Sequence, residues 1–320
     1  MLPTRGLLIL LLGVAVREAR SWTQIPTFHS SLAPSRPSSS HTISILAMTS
    51  SPESTKFTAK TDPSSVVVLP DADAVSKRIQ SIVTDAAAEA IAERGHFILA
   101  IPGGSILKML VNLESAADWA PKTTLVYVNH KCVPMDDADA ATHAKAQKLF
   151  LNDWQNAGLN AIILSGTSDG PAEASRYERQ LKDLPETICP RCAPSDAGDL
   201  PRFDLALIGV GDDGHVGSLY PDRDEVTIDE FGPWVLSVAM KDPPSITLSL
   251  PVMANAKRVV VAACGVSEKY PQGKSAGMRR AVVEEGEDLR SFPAVGLRGV
   301  ATWVMDEAAA SKLGPEYGAE

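Results

Sequence analysis

A histidine set among glycines is the residue of this chain best placed to do chemistry. It is His215, in the run Gly209-Val-Gly-Asp-Asp-Gly-His-Val-Gly-Ser-Leu-Tyr-Pro221, which follows the apolar stretch 203–208. Gly209, Gly211 and Gly214 free the backbone at what reads as a strand end, where a ligand would lie. An imidazole there can take a proton from water, with Asp213 close enough in sequence to orient it or tune its charge. The plainer reading is a histidine bonded only to its own loop.

A second junction is Pro102-Gly103-Gly104-Ser105, after the apolar run 97–101 and before a helix expected from Ile106. Two glycines let the backbone come close to an anion, Ser105 is a candidate helix cap, and the free N–H groups of a first helical turn point toward such a ligand. The same turn also occurs purely for packing. His130, Cys132, His143 and His215 form a metal site only if the topology brings them together, because their sequence spacing is not that of metal ligands. Cys189 and Cys192 form a single CxxC pair beside Pro190, in an irregular stretch from 184 to 201, and read as a loop.

The elements that must hold these residues follow from periodicity. Apolar runs at 65–69, 97–101, 124–128, 161–164, 203–208 and 258–263 predict strands, and Val75, Ile79, Ile82, Val83, Ala87, Ala90 and Ile91 recur at helical spacing. Strands alternating with helices predict an α/β fold: a Rossmann-like, mostly parallel sheet with helices on both faces, in a single domain over 57–320. A net charge of -9 argues against nucleic acid or an anionic membrane as the main partner, so an anionic small substrate needs a local positive pocket.

The glycine-rich run resembles the signature of 6-phosphogluconolactonases, where Gly-x-Gly-x-Asp-Gly-His is followed by a small residue, Ser-Leu-Phe and Pro. Glucosamine-6-phosphate isomerases of the same superfamily share only the Asp-Gly-His part. The order of other segments matches too: the Gly-Gly-Ser turn, Val133-Pro134, Pro-Pro-x-Ile-Thr-Leu-Ser-Leu-Pro at 243–251, and Gly265 with Lys269. The similarity covers about 66–310. It implies hydrolysis of 6-phosphoglucono-δ-lactone in the oxidative pentose phosphate pathway, with no cofactor and no metal. His215 would be the base, Asp213 its orienting partner, and Gly103, Gly104, Ser105 and Lys269 the phosphate contacts. Lys269 can equally be a solvated lysine at a helix start.

Three departures qualify the resemblance. Asn129, His130 and Lys131 stand where the family has Asp-Glu-Arg, which makes them candidate substrate contacts of altered chemistry. Asn129 is no carboxylate base, which argues against isomerase chemistry, and Lys131 lacks the planar guanidinium fork. Ala141-Thr142-His143 replaces Ser-Asn-Tyr, and Ser245 stands where an arginine precedes Ile-Thr-Leu. A non-catalytic relative that binds a sugar phosphate or a protein partner is therefore the competing expectation.

Residues 1–56 differ in kind from the rest. They hold Arg5, Arg17, Arg20 and Arg36 against only Glu18 and Glu53 as acids, with many serines. Arg5 and the apolar run 7–16 look like a signal peptide within 1–20, and 21–56 has a Ser-rich, transit-like composition. Together they resemble a bipartite plastid presequence, expected to be disordered. The alternatives are a plain secretory signal, or a cytosolic form started at Met48.

Overall fold

The apolar runs form strands because most of their side chains are buried on both faces of one sheet, which only a covered parallel sheet allows. The computed structural model describes residues 56–57, 59–113, 116–192, 199–265 and 273–318. These all belong to one compact unit, Pro52–Glu320. The presequence expected over 1–56 lies, but for its last residue, outside the described residues, and so does Lys269.

In chain order the strands are β1 (Lys56–Phe57), β2 (Val66–Leu69), β3 (Phe97–Ile101), β4 (Thr123–Tyr127), β5 (Asn129–Lys131), β6 (Asn160–Ala161), β7 (Leu205–Gly209), β8 (Val235–Val238), β9 (Ser245–Leu248), β10 (Arg258–Ala263), β11 (Glu287–Asp288) and β12 (Ala301–Asp306). The helices are α1 (Ala72–Arg94), α2 (Ser105–Met109), α3 (Ala116–Trp119), α4 (Thr142–Ala146), α5 (Asn152–Asn156), α6 (Gly170–Lys182), α7 (Leu250–Ala254), α8 (Ser275–Val282) and α9 (Glu307–Ala310). The main sheet has the order β2-β12-β10-β7-β3-β4-β6, and every pair in it is parallel. From its centre β3, β4 and β6 step one way while β7, β10 and β12 step the other. The order therefore reverses between β3 and β7, which pair through Leu99 with Leu205 and Ala100 with Ala206. In such sheets the loops leaving the two central strands part from each other and open a crevice.

Three features depart from the expectation. Strand β12, a mixed run containing Trp303 and ending in Asp306, was not anticipated, yet it sits between β2 and β10. The expected strand at 161–164 shrinks to the short edge strand β6. A second sheet, β5-β9-β8, is antiparallel. The chain leaves the main sheet at Val128, whose N–H donates to Ile101 while its carbonyl accepts from Leu248, and continues straight into β5.

Helix α1 starts at Asp71, whose carboxylate accepts from the Ala74 N–H at 2.8 Å, and ends at Gly95, in the left-handed region with φ 82°. Its buried face is Val75, Ile79, Ile82, Val83, Ala86, Ala87 and Ala90. Arg94 in its last turn grips Asp204 just before β7 through both guanidinium nitrogens, and Asp204 also accepts from the Ile98 N–H of β3 at 2.8 Å. This buried carboxylate joins a helix end to the two central strands. Among the described residues no helix is long and apolar enough to cross a membrane.

Asp204→Ala removes three hydrogen bonds at once and strands a half-buried guanidinium. A loss of about 3 kcal/mol in urea unfolding is expected; a loss below about 1 kcal/mol would show that this junction is not a structural clamp.

Candidate functional site

The loop after β7 folds back on itself, and this places His215. The Gly211 N–H donates to the His215 carbonyl at 2.9 Å, and Val210 bridges Val216. The imidazole and the Asp213 carboxylate then lie directly over the Gly211 backbone. A Cβ built there would stand 2.1 Å from His215 Nδ1 and 2.5 Å from Asp213 Oδ1, so glycine is required by close approach. Gly214 is needed twice over: its φ is +83°, and a Cβ would meet the Phe292 ring at 2.5 Å.

His215 Nδ1 lies 2.6 Å from Asp213 Oδ1, and the same oxygen accepts from the His215 N–H at 3.1 Å. Burial works to raise the Asp213 carboxyl, but the hydrogen bond and charge of His215 outweigh it and hold that carboxyl below its ordinary value. With Nδ1–H committed to the carboxylate, Nε2 is left as the basic nitrogen; among the described residues it has no hydrogen-bond partner. The side chain is 19% exposed, so the ring is reachable from solvent. It packs against Tyr220 in a tilted arrangement, with ring centroids 4.9 Å apart and planes at 36°.

Four outside contacts fix this loop. Ser218 N–H donates to Thr247 Oγ1 of β9 at 3.1 Å, and the Ala294 N–H donates to the Gly214 carbonyl at 2.9 Å. Lys274, buried at the start of α8, donates to the Val210 carbonyl at 3.0 Å. The fourth is Asn129, whose Nδ2 donates to Ser218 Oγ at 3.1 Å while its Oδ1 accepts, at 3.5 Å, from the Gly103 N–H. Asn129 thus ties the turn after β3 to the loop after β7 across the point where the strand order reverses. Lys274 and Thr247 were missed in the sequence, because nothing local marks a lysine or threonine as the support of a loop distant in the chain.

Other expected site residues fare differently. Gly103, Gly104 and Ser105 do sit at the carboxyl end of β3, but Ser105 is not the cap: Gly104 occupies that position and makes no side-chain cap bond. Helix α2 is only five residues long, so any anion affinity of the turn rests on its backbone N–H groups. Lys131 is exposed on β5, and strand alternation puts its side chain on the same face as that of Asn129.

His130 is a correction. It faces the other side of β5 and is fully buried, with Nδ1 2.6 Å from the Lys131 carbonyl and Nε2 accepting from the His143 N–H at 3.0 Å. A ring with both nitrogens used and no exposed surface is not a substrate contact. His143 in turn bonds Tyr127 Oη through Nδ1 at 2.8 Å. The possible metal cluster does not assemble either: His130 and His143 are tied up in this network, and burial pushes the Cys132 thiol up to about 11. Among the described residues no group of three or more His, Cys, Asp or Glu side chains is arranged to hold a metal. In the CxxC pair, Cys189 is buried and Cys192 half-buried, with Arg202 donating to the Cys192 sulfur at 3.6 Å.

A cavity of about 530 Å³ lies elsewhere, between α6 and β8, lined by Glu178, Arg179, Lys182 and Val235 among others. It contains none of the residues that surround His215. The convergence of His215, Asp213, Asn129 and the Gly103 turn at the reversal of strand order is the stronger indication of a site, because it is where this kind of sheet binds ligands.

Comparison with known proteins points the same way. The family described as glucosamine-6-phosphate isomerases/6-phosphogluconolactonase matches residues 70–303. A relative named 6-phosphogluconolactonase 3, chloroplastic, from Arabidopsis thaliana is 31% identical over 229 residues, covering 69% of this chain and 66% of that protein, so the chain spans just under two thirds of its length. A 6-phosphogluconolactonase from Synechocystis is 28% identical over 256 residues, covering 78% of this chain and 98% of that one. In structure, the 6-phosphogluconolactonase of Trypanosoma brucei superposes with a TM-score of 0.64 at 19% identity, over 80% of this chain and all of that one, which speaks for the fold.

The buried His130 makes stability depend on pH. Burial lowers its pKa to about 4, outweighing the bond to the Lys131 carbonyl, whereas in the unfolded chain it titrates near 6.5. The unfolded chain therefore binds the proton more readily, so stability is full above about pH 6.5 and falls by about 3 kcal/mol as pH drops toward 4. Burial shifts His143 the same way. Urea titrations at pH 7 and pH 5 are expected to show the loss, and His130→Gln to reduce it; an unchanged pH slope in the variant would refute this.

Proposed function

We propose, from the premise that this chain belongs to the family of glucosamine-6-phosphate isomerases and 6-phosphogluconolactonases, that it hydrolyses 6-phosphoglucono-δ-lactone to 6-phosphogluconate. The observation that carries the reading is the Asp213–His215 pair, 2.6 Å apart, with the second imidazole nitrogen left basic and reachable. His215 Nε2 takes a proton from water as its oxygen adds to the lactone carbonyl carbon. The tetrahedral intermediate then collapses, the ring C–O bond breaks, and the imidazolium returns the proton to the leaving ring oxygen. Asp213 holds the ring in one tautomer and stabilises the transient imidazolium; positioned base catalysis of this kind contributes about 10² to 10⁴-fold.

The phosphate would be held by the Gly103–Ser105 amides, with Lys131 on the adjoining strand face and Lys269 as a further proposed contact. Hydrolysis is favoured over isomerisation because Asn129 offers an amide, already bonded to Ser218 and Gly103, where proton transfer at carbon needs a carboxylate. The same amide favours a second reading, a binding protein without turnover, since it draws on the Gly103 N–H that would otherwise face the phosphate.

Residues 57–320 would be the catalytic domain and 1–56 a plastid-targeting extension. Support comes from the acid-poor, Ser-rich composition and from a plant relative named as chloroplastic. Its division into a signal-like and a transit-like part belongs to the same proposal.

His215→Ala in the purified protein is expected to lower kcat about 10² to 10⁴-fold with the fold intact. Equal rates for variant and parent would remove the assignment, and calorimetric binding of 6-phosphogluconate without turnover by the parent would establish the binding-only reading. Gly211→Ala, which displaces the pair without removing it, is expected to lose a comparable share of activity; a fully active variant would show that the pair need not lie over this residue.

A further inference from the structure

We infer that Lys241, positioned by Tyr220, is a specificity residue that reads the phosphoryl group of the substrate; this deepens the lactonase reading above and rests on it. Lys241 lies in the turn that joins β8 to β9, and its side chain is exposed. Its ammonium does not trail into solvent. Nζ donates to Tyr220 Oη at 3.1 Å and lies 4.6 Å from the centre of the same ring. That ring is the one packed against His215, 4.9 Å between centroids. A single aromatic side chain thus packs beside the proposed base and also holds a cation.

Three points make this a ligand contact rather than a surface decoration. Lys241 forms no ion pair with a carboxylate among the described residues, so its charge is not cancelled locally. A phenol occupies one of its three N–H donors and leaves two for an anion. A lysine usually loses several rotamers when it binds, and the hydroxyl and ring of Tyr220 hold much of that order in advance. In a chain of net charge -9, such a cation beside the base is what an anionic substrate needs. The hydroxyl matters in its own right: Tyr220→Phe would keep the ring beside His215 but lose the acceptor that anchors Lys241. The anion is the phosphoryl group and not the reacting carbonyl, because the ammonium is anchored on the Tyr220 hydroxyl and makes no hydrogen bond to His215 among the described residues.

The test compares parent, Lys241→Met, Lys241→Arg and Tyr220→Phe on two lactones, 6-phosphoglucono-δ-lactone and unphosphorylated glucono-δ-lactone, at low salt. For Lys241→Met the expected result is a KM about tenfold higher on the phosphorylated substrate, as for loss of one charge-assisted hydrogen bond, with kcat within twofold. No change is expected on the unphosphorylated lactone. Lys241→Arg should recover most of the loss, and Tyr220→Phe should fall in between. An unchanged KM on the phosphorylated lactone, or equal losses on both, would overturn the proposal. Calorimetry with 6-phosphogluconate keeps this separate from the question of catalysis. If the parent turns over neither lactone, the lactonase reading fails, yet an affinity about tenfold weaker in Lys241→Met still supports the phosphoryl contact. Equal affinities, or no binding by the parent, would overturn it.

Discussion

The site depends on one close approach: an imidazole and a carboxylate held against the backbone of Gly211, where a single methyl group would collide with both. That approach sets the direction of the ring, and its direction decides which nitrogen is basic. With Nδ1 committed to Asp213, the proposed hydrolysis would take and return its proton at Nε2 of a ring that solvent can reach. A histidine on a roomier loop would have no fixed geometry, and proton transfer depends on geometry first. The missing side chains of Gly211 and Gly214 thus serve the proposed chemistry as much as the turn.

Everything around the loop can be understood as bracing for that approach. The two central strands end side by side, and their loops part because the strand order reverses between them. Asn129 closes the gap by accepting from one loop and donating to the other, a task that uses both ends of an amide and that a deprotonated carboxylate could not perform in the same way. Thr247 and Lys274 reach in from the antiparallel sheet and from α8. Behind β5, the His130, His143 and Tyr127 chain fixes the strand that carries Asn129 and Lys131, with neutral rings suited to a dry interior. The replaced triplet therefore divides its labour: Asn129 bridges the two loops, Lys131 lies exposed on the same strand face, and His130 is structural.

Much of this was legible in the residues themselves. The run 97–101 is apolar throughout and becomes a strand with those bounds, and the glycine spacing around His215 announces a tight bend whatever its purpose. The orientation of Asp213 toward His215 could be expected because a single residue, Gly214, separates them. What escaped had no local signal. β12 mixes threonine, tryptophan and aspartate, and only its neighbours β2 and β10 make it a strand. Asn129, His130 and Lys131 are polar, so nothing in their types said that they pair with β9 or that the histidine turns inward. Ser218 meeting Asn129, and Tyr220 meeting Lys241, are contacts between distant segments that the fold alone creates.

The most direct test of the account is a crystal structure of the protein with 6-phosphogluconate bound. The C1 carboxylate is predicted within about 3.2 Å of His215 Nε2, the hydrogen-bond reach required of a base, with the rest of the sugar acid spanning the opening between the β3 and β7 loops. A carboxylate seated away from that nitrogen, for instance in the cavity between α6 and β8, would contradict the assignment of His215 as the base.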